Sequence, residues 1–266
     1  GLAQGPAPRQ TGMSALKKLV SALLVLTLAV SGGLLAWHGL HRTSASPPAG
    51  QTQTPAVPAP PEAVPDTVST LCVAGDLVMH IPIINPCRTD DGFDFTGLFD
   101  EARPYYESAD YAAACIETTF NGPPYSGFPQ FCAPDQLAGD LKSVGLDLLS
   151  TASNHSLDTW FSGLTRTLDV LDEAGLDHVG TYRTQEERDA VKVIDVGGIR
   201  LAVLAYTYGT NGLPKDEHPY CVNVFTTDYM TNCGVIDYEL LKSDLARARQ
   251  TDADAIAVFM HWGQEY

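Results

Sequence analysis

From about residue 68 onward, short apolar runs alternate with longer segments in which apolar residues recur at helical spacing. The predicted strands are "TLCVAGD", "DYAAACIET", "LDLLSTASN" and "DAIAVFMHWG". The predicted helices are "FTGLFDEARPYYESA", "APDQLAGDLKSVG", "TWFSGLTRTLDVLDEAG" and "YELLKSDLARARQ". Between them, "AVKVIDVGGIRLAVLAYTY" predicts a hairpin that turns at Gly197-Gly198. This alternation predicts an α/β domain in which helices cover a largely buried sheet.

Polar groups able to hold a metal or a proton stand at the ends of these apolar strands. In chain order they are Asp76, Glu117, Asn154 with His155, and His261. In open α/β sheets ligands bind beyond the carboxyl ends of the strands, so these groups are expected to meet in one cleft. Carboxylate, amide and imidazole donors form a mixed set suited to Mn, Fe or Zn. His80, four residues after Asp76, is a further candidate.

Each candidate also has a purely structural explanation. An Asp that follows Gly at a strand end, as Asp76 does, is often a turn residue. The others could be a helix cap (Asn154 and Asp158), a core histidine (His261) or a loop residue (His80). Glu117 is harder to explain in this way, because a charge seldom follows a run such as "AAACI" without a partner. Because such groups stand at four strand ends, a metal site is favoured over separate structural explanations for each residue.

The N-terminal part predicts a membrane anchor. Lys17 and Lys18 precede an uncharged stretch at 19–37, which is long enough for a helix to cross a bilayer core of roughly 30 Å. No Lys or Arg occurs between Thr43 and Cys87, and this asymmetry predicts that the following domain lies outside the cell membrane. The alternative is a secretory signal cleaved near "TSA", at 43–45.

Composition divides the chain into four parts. Residues 1–18 are the predicted cytoplasmic segment, of which 1–12 are expected not to be native because Met13 resembles a natural start. After the anchor, residues 43–66 are rich in Pro, Ala and Thr and predict a disordered linker. The folded domain is predicted at 68–266.

Charge and cysteine content restrict the environment and the partners. A formal net charge of −16 argues against nucleic-acid binding, because a phosphate backbone would be repelled. Six cysteines are compatible with an extracytoplasmic location. Cys72 and Cys115 lie in apolar runs and are predicted to be buried thiols. The loop positions of the other four suggest the pairs Cys87–Cys132 and Cys221–Cys233, although sequence alone does not fix the connectivity.

Several ordered blocks resemble the CapA family of poly-γ-glutamate capsule synthesis proteins. They are "VAGDLVMH", "ESADYAAACIETTFNG", "YSGFPQFCAPDQLAGDLKSVGLDLLSTASNHSLD", "GLTRTLDVLDEAGLDHVGTYRT", "LAYTYGTNGLP" and "MHWGQEY". The resemblance runs from about residue 70 to the last residue. It implies a fold like that of the calcineurin-like metallophosphoesterases: a layered mixed β-sheet sandwich, flanked by helices, with a dinuclear metal centre.

The resemblance also implies roles for individual residues. Two divalent cations, Mn, Fe or Zn, would be held by Asp76, His80, Glu117, Asn154 and His261. Glu117 would bridge the cations, and His155 would protonate a leaving group. Two features depart from the family: Cys115-Ile116 stand where it has Asn-Leu, and the family continues beyond the position of Tyr266. The resemblance therefore predicts a domain and a site that are incomplete at the C-terminus.

The first functional hypothesis is a single-pass, membrane-anchored, extracytoplasmic CapA protein that acts in poly-γ-glutamate synthesis or export. Its metal site would hydrolyse a phosphoester, and a membrane capsule-synthesis complex would be its partner. One alternative is a non-catalytic scaffold that binds the anionic polymer. Another is a metallophosphatase that acts on cell-wall or nucleotide phosphoesters without a capsule role.

Overall fold

The computed structural model describes Asp66 and residues 68–263. The predicted cytoplasmic segment, the anchor at 19–37 and all of the linker except Asp66 lie outside these residues. In the described part, no helix has both the length and the apolar composition needed to cross a bilayer. The described residues cover almost all of the domain predicted at 68–266.

The first sheet consists of four parallel strands in the order β1-β2-β3-β4. They are β1 (Leu71–Leu77), β2 (Tyr111–Ile116), β3 (Leu148–Ser150) and β4 (Asp177–Val179). Strand β2 lies inside the sheet, and its run of small apolar residues suits a strand covered on both faces. Because the strands are parallel, their carboxyl ends share one edge of the sheet. Strand β4 was not predicted, since it is three residues long and begins with two polar residues.

The second sheet contains the predicted hairpin and the last predicted strand. It consists of β5 (Lys192–Val196), β6 (Ile199–Thr207) and β7 (Ala255–His261), in that order. Strands β5 and β6 are antiparallel, and they turn at Gly197 and Gly198, whose φ angles of 58° and 92° suit glycine. Strand β7 runs parallel to β6, and Thr207 pairs with His261 at their carboxyl ends. The hairpin prediction is confirmed.

The two sheets pack face to face and helices cover their outer faces. Ala113 and Leu148 of the first sheet share a buried cluster with Val203 and Ala205 of the second. The first sheet's other face packs on helical residues Tyr106, Leu137, Leu141 and Leu171. The second sheet's other face packs on Leu240, Leu241, Leu245 and Ala248. The predicted α/β arrangement of parallel and mixed sheets with flanking helices is confirmed.

The helices are mostly short. They are α1 (Ile81–Ile84), α2 (Arg103–Ser108), α3 (Gln136–Ser143), α4 (Trp160–Ala174), α5 (Gln185–Asp189) and α6 (Tyr238–Ala248). Two 3₁₀ turns, Asn85–Cys87 and Thr96–Phe99, precede α2. Helix α4 ends at Gly175, whose φ of 72° is the left-handed cap expected of glycine.

Two helix predictions need correction. The single helix expected across "FTGLFDEARPYYESA" is a 3₁₀ turn followed by α2, because Pro104 has no N–H and is accommodated only in the first turn of a helix. Helix α5 was missed, although "TQEE" resembles a capping box: Thr184 Oγ1 accepts a hydrogen bond from Glu187 N at 3.2 Å. Glu187 Oε2 in turn accepts one from Arg183 N at 2.6 Å.

The suggested disulfides Cys87–Cys132 and Cys221–Cys233 are wrong. All six cysteines, which lie within the described residues, are free thiols. Three of them donate to backbone carbonyls near in sequence instead: Cys87 to Ile83, Cys132 to Gly122 and Cys233 to Tyr229. Local hydrogen bonding of this kind is not visible in the spacing of cysteines.

Candidate metal centre

The imidazole of His261 is the meeting point of the predicted strand-end groups. His261 is the last residue of β7, and its Nδ1 lies 3.2 Å from Asp76 Oδ1. Its Nε2 lies 2.8 Å from Asn154 Oδ1 and 3.6 Å from Glu117 Oε1. The ring of Tyr208 lies nearly parallel to it, with centroids 6.1 Å apart. One ring of the second sheet is therefore in reach of three strand-end residues of the first.

A backbone irregularity in β1 precedes Asp76. The β1–β2 register shifts between Val73 and Asp76, after which Asp76 is aligned with Cys115. Bulges of this kind occur next to functional sites, where they re-aim a side chain. Glu117 follows β2 directly, and its N–H donates to Leu77 O at 3.1 Å, which continues the pairing beyond the last β2 residue. Asp76 is exposed and Glu117 is partly buried.

Asn154 and His155 lie in a buried turn beyond β3. Both residues are almost inaccessible to solvent, at 5% and 8% exposure. The N–H of Ser153 donates to Ser156 Oγ at 2.9 Å, and Ser156 Oγ donates to Thr151 O at 2.8 Å. These hydrogen bonds fix the backbone of the turn, so the serine-rich sequence "STASNHS" forms a rigid support for its two functional side chains.

Asn211, in the loop after β6, determines the orientation of the Asn154 amide. Asn154 Nδ2 donates to Asn211 Oδ1 at 3.1 Å. With its nitrogen held in this way, Asn154 presents Oδ1 to His261. Asn211 Nδ2 also lies 3.4 Å from both ring nitrogens of His155. Its φ of 52° is left-handed, a conformation that Asn tolerates better than most residues.

Asp158 holds the ring of His155 and does not cap a helix. Its Oδ2 lies 2.7 Å from His155 Nδ1 and accepts the Phe131 N–H at 2.6 Å. The expectation that Asp158 caps a helix is wrong, because the residue at the start of α4 is Thr159. With Nδ1 bound to the carboxylate, Nε2 of His155 is left to face Glu117 Oε1, at 3.9 Å. The ring of Phe131 packs edge-on against the imidazole, with centroids 4.6 Å apart.

Cys115 lies closer to the centre than the sequence indicated. Its Sγ is 3.8 Å from His261 Nδ1. Asp76, Cys115 and His261 each offer one ligand atom, and these three atoms lie within 4.8 Å of one another. Burial, with a further contribution from the carboxylates of Asp76 and Glu117, raises the pKa of the Cys115 thiol well above its ordinary value.

His80 lies apart from this group. It is exposed, and its ring packs edge-on against Phe131 with centroids 5.9 Å apart. Its Nδ1 is so close to Gly127 that a Cβ there would come within 2.6 Å. The structure therefore brings together Asp76, Glu117, Asn154, His155 and His261, and it places His80 in the neighbouring loop. The role of His80 as a metal ligand stays a prediction.

Comparison with known proteins identifies the family. Residues 70–266 match "Bacterial capsule synthesis protein PGA_cap". The chain belongs to the PGA_cap family. This match confirms the resemblance to CapA proteins that the sequence blocks indicated.

Relatives of this PGA_cap member include two CapA proteins. It is 26% identical over 229 residues to "PGA biosynthesis protein CapA" of Bacillus subtilis (strain 168), an alignment that covers 82% of the chain and 54% of that protein. It is 24% identical over 211 residues to "Capsule biosynthesis protein CapA" of Bacillus anthracis, covering 74% of the chain and 47% of that protein. "Uncharacterized protein y4sH" of Sinorhizobium fredii (strain NBRC 101917 / NGR234) is 30% identical over 145 residues, 51% of the chain and 30% of its own length. The chain thus spans about half the length of the two CapA relatives.

The donor set of this PGA_cap member fits a divalent cation. Two carboxylates, one amide oxygen and one imidazole meet at a single edge of the sandwich. Gathering Asp76 and Glu117 there concentrates negative charge, which a bound cation would offset. Oxygen and nitrogen donors of this kind suit Mn, Fe and Zn.

Three site residues escaped sequence reasoning. Asp158 was recognisable in part, because "NHSLD" places a carboxylate three residues after a histidine, close enough for a turn to bring them together. Cys115 was read as part of a buried strand, and its position opposite Asp76 depends on the β1 register shift. Asn211 lies in the block "LAYTYGTNGLP", which resembles the family, but nothing in this loop sequence indicated that its side chain would contact Asn154.

Proposed function

We propose that this PGA_cap member is a membrane-anchored, extracytoplasmic protein of capsule polymer synthesis or export that hydrolyses a phosphoester at a dinuclear metal centre. The names of its two CapA relatives support the capsule role, and the uncharged stretch at 19–37 supports the anchor. The sandwich of two sheets with flanking helices supports a metallophosphoesterase-like fold. The observation that carries the proposal is the convergence of Asp76, Glu117 and Asn154 on His261.

The assignment of ligands is the one that the resemblance to CapA proteins implies. Asp76 would hold one cation, Asn154 the second, and Glu117 would bridge them. His261 would be a further ligand of the cation that Asn154 holds, because Asn154 Oδ1 faces His261 Nε2. Divalent cations at such a centre neutralise charge on a phosphoryl oxygen and lower the pKa of water.

The protein's own contribution to the reaction is positioning and proton transfer. Asp158 accepts from His155 Nδ1 and so directs Nε2 toward the side where Glu117 lies. From there, His155 can donate a proton to the oxygen of a departing alcohol. Asn211 keeps the oxygen of Asn154 turned toward the centre. The two histidines therefore have separate tasks, His261 as a ligand and His155 as an acid.

The proposal is tested by metal binding and hydrolysis on the same preparation. The full 266-residue chain is titrated with Mn²⁺ by calorimetry and then assayed with bis(p-nitrophenyl) phosphate. We expect saturable Mn²⁺ binding and Mn²⁺-dependent hydrolysis. His261→Ala is expected to weaken Mn²⁺ binding at least about tenfold, since even outer-shell partners of a metal are worth roughly 10–100-fold.

His218→Ala is the matched control, because His218 stacks on Phe161 with ring centroids 3.6 Å apart, outside the centre. It should bind Mn²⁺ as the unchanged chain does. Equal Mn²⁺ affinity in His261→Ala and His218→Ala would refute the assignment of the centre. Metal binding without any hydrolysis would support a binding scaffold over an enzyme.

A second prediction concerns the loop after β6. Asn211→Ala removes the acceptor of Asn154 Nδ2, so the amide becomes free to turn its oxygen away from the centre. We expect Mn²⁺ affinity to fall about tenfold, the lower part of the range for outer-shell partners. Calorimetry measures this change, and Asn211→Asp, which keeps the acceptor oxygen, should recover most of it. If Asn211→Ala binds Mn²⁺ as tightly as the unchanged chain, Asn211 does not position Asn154.

A further inference from the structure

A second, larger cavity opens directly beside the metal centre. The centre itself lies in a cavity of about 300 Å³, and the neighbouring one has a volume of about 560 Å³. Glu117, Asn154 and His155 line both cavities. A molecule held at the centre can therefore extend past His155 into the larger cavity.

Part of the lining of this cavity is apolar. Phe128, Phe131 and Leu213 contribute to it. Phe131 is buried and packs on His155, but Phe128 is 72% exposed. A large aromatic side chain left in solvent at the entrance of a cavity gains free energy when an apolar group covers it.

The segment that carries Phe128 is held in place before any ligand binds. Gln130 N donates to Gly127 O at 3.1 Å, which closes a tight turn around Phe128. Ser126 Oγ donates to Gln130 O at 2.7 Å, and Ser126 N donates to Cys132 O at 3.0 Å. Because the turn is already ordered, contact with Phe128 has little additional entropic cost.

The charges around the two cavities limit what can bind. Among the described residues that line them, the acidic and imidazole side chains are Asp76, Glu117, Asp158, His155 and His261, and none is Lys or Arg. Metal ions at the centre would bind one phosphoryl group. A second anionic group on the same ligand would meet acidic side chains and no Lys or Arg, in a chain whose formal net charge is −16.

We propose that the larger cavity binds the organic part of the phosphoester and selects one that is uncharged and apolar. This inference rests on the proposed function, because it places the phosphoryl group at the metal centre and the leaving group beside His155. Phe128 is the specificity residue, and its ring covers the apolar face of the leaving group. A polyanionic chain with a carboxylate on each repeat does not fit this cavity.

The test uses three non-hydrolysable probes that share one phosphonate group. Methylphosphonate, phenylphosphonate and (4-carboxyphenyl)phosphonate are titrated calorimetrically into the full chain loaded with Mn²⁺. We expect phenylphosphonate to bind about tenfold more tightly than methylphosphonate, the gain from burying much of one ring. The added carboxylate should remove most of that gain.

Phe128→Ala is expected to reduce the phenyl-to-methyl affinity ratio from about tenfold to about twofold. Tyr105→Ala is the matched control, since Tyr105 is 69% exposed on α2, outside both cavities, and it should preserve the ratio. An Mn²⁺ titration of each variant verifies that the centre is intact. A ratio near one in the unchanged chain, or an equal ratio in both variants, would overturn the inference.

The outcomes separate this inference from the proposed function. If bis(p-nitrophenyl) phosphate is hydrolysed but the three phosphonates bind equally, the proposed function stands and the selection of an apolar group is wrong. If the carboxylated probe binds most tightly, the cavity accepts anionic groups and the inference is also wrong. If no phosphonate binds and no phosphoester is hydrolysed, both proposals are wrong.

Discussion

Replacing His155 with alanine is expected to reduce metal-dependent phosphoester hydrolysis by about 10²–10⁴-fold, the usual contribution of a general acid. The expectation follows from the local geometry. His155 is 8% exposed, its Nδ1 lies 2.7 Å from Asp158 Oδ2, and its Nε2 faces the side of Glu117. A ring fixed in this way delivers a proton from one nitrogen in one direction. Alanine removes that proton and leaves the proposed metal ligands in place.

The choice of substrate distinguishes an acid from a structural residue. A p-nitrophenolate leaves readily without a proton, whereas a phenolate or an alkoxide needs one. We therefore expect His155→Ala to lose much more activity on diphenyl phosphate than on bis(p-nitrophenyl) phosphate. The Mn²⁺ titration should show the same number of bound ions as in the unchanged chain. Equal losses on both substrates, or unchanged turnover, would show that His155 is not the proton donor.

Most of the fold was predictable because its signals are local. Strand β2 is a continuous apolar run rich in alanine. The Gly197-Gly198 pair supplies the two left-handed residues that the turn between β5 and β6 requires. Helix α4 shows helical spacing and ends at a glycine. Strand β4 could not be predicted, because its three residues become a strand only through pairing with β3. Such pairing is a property of the tertiary structure.

The candidate site was predictable as far as strand ends determine it. Parallel strands bring their carboxyl ends to one edge, so Asp76 and Glu117 follow from the strand assignment alone. His261 was expected with them because it also ends a predicted strand, although β7 belongs to the second sheet and reaches Asp76 only because the two sheets stack. Asp158 and Asn211 were missed because they act through loop geometry, and no periodic pattern reports where a loop side chain points.

A buried ion-pair network outside the metal centre joins three elements of the fold. Asp244 of α6 is 1% exposed and accepts hydrogen bonds from Arg188 Nη2 of α5 at 2.6 Å and Tyr206 Oη of β6 at 2.8 Å. It also accepts one from Arg247 Nη2 at 2.5 Å. Burial, with a further contribution from Asp244, raises the pKa of Tyr206 well above its ordinary value, so the phenol stays protonated and continues to donate.

Asp244→Ala is expected to lower the free energy of unfolding by about 3–5 kcal/mol, because it leaves the buried guanidinium of Arg188 without its main partner. Asp252→Ala is the matched control: it also breaks an Asp–Arg pair, but Asp252 and Arg200 are 69% and 45% exposed, so the loss should stay within about 1 kcal/mol. Urea denaturation, followed by circular dichroism, measures both changes. If the two variants lose the same stability, burial of the network does not hold α5, α6 and β6 together.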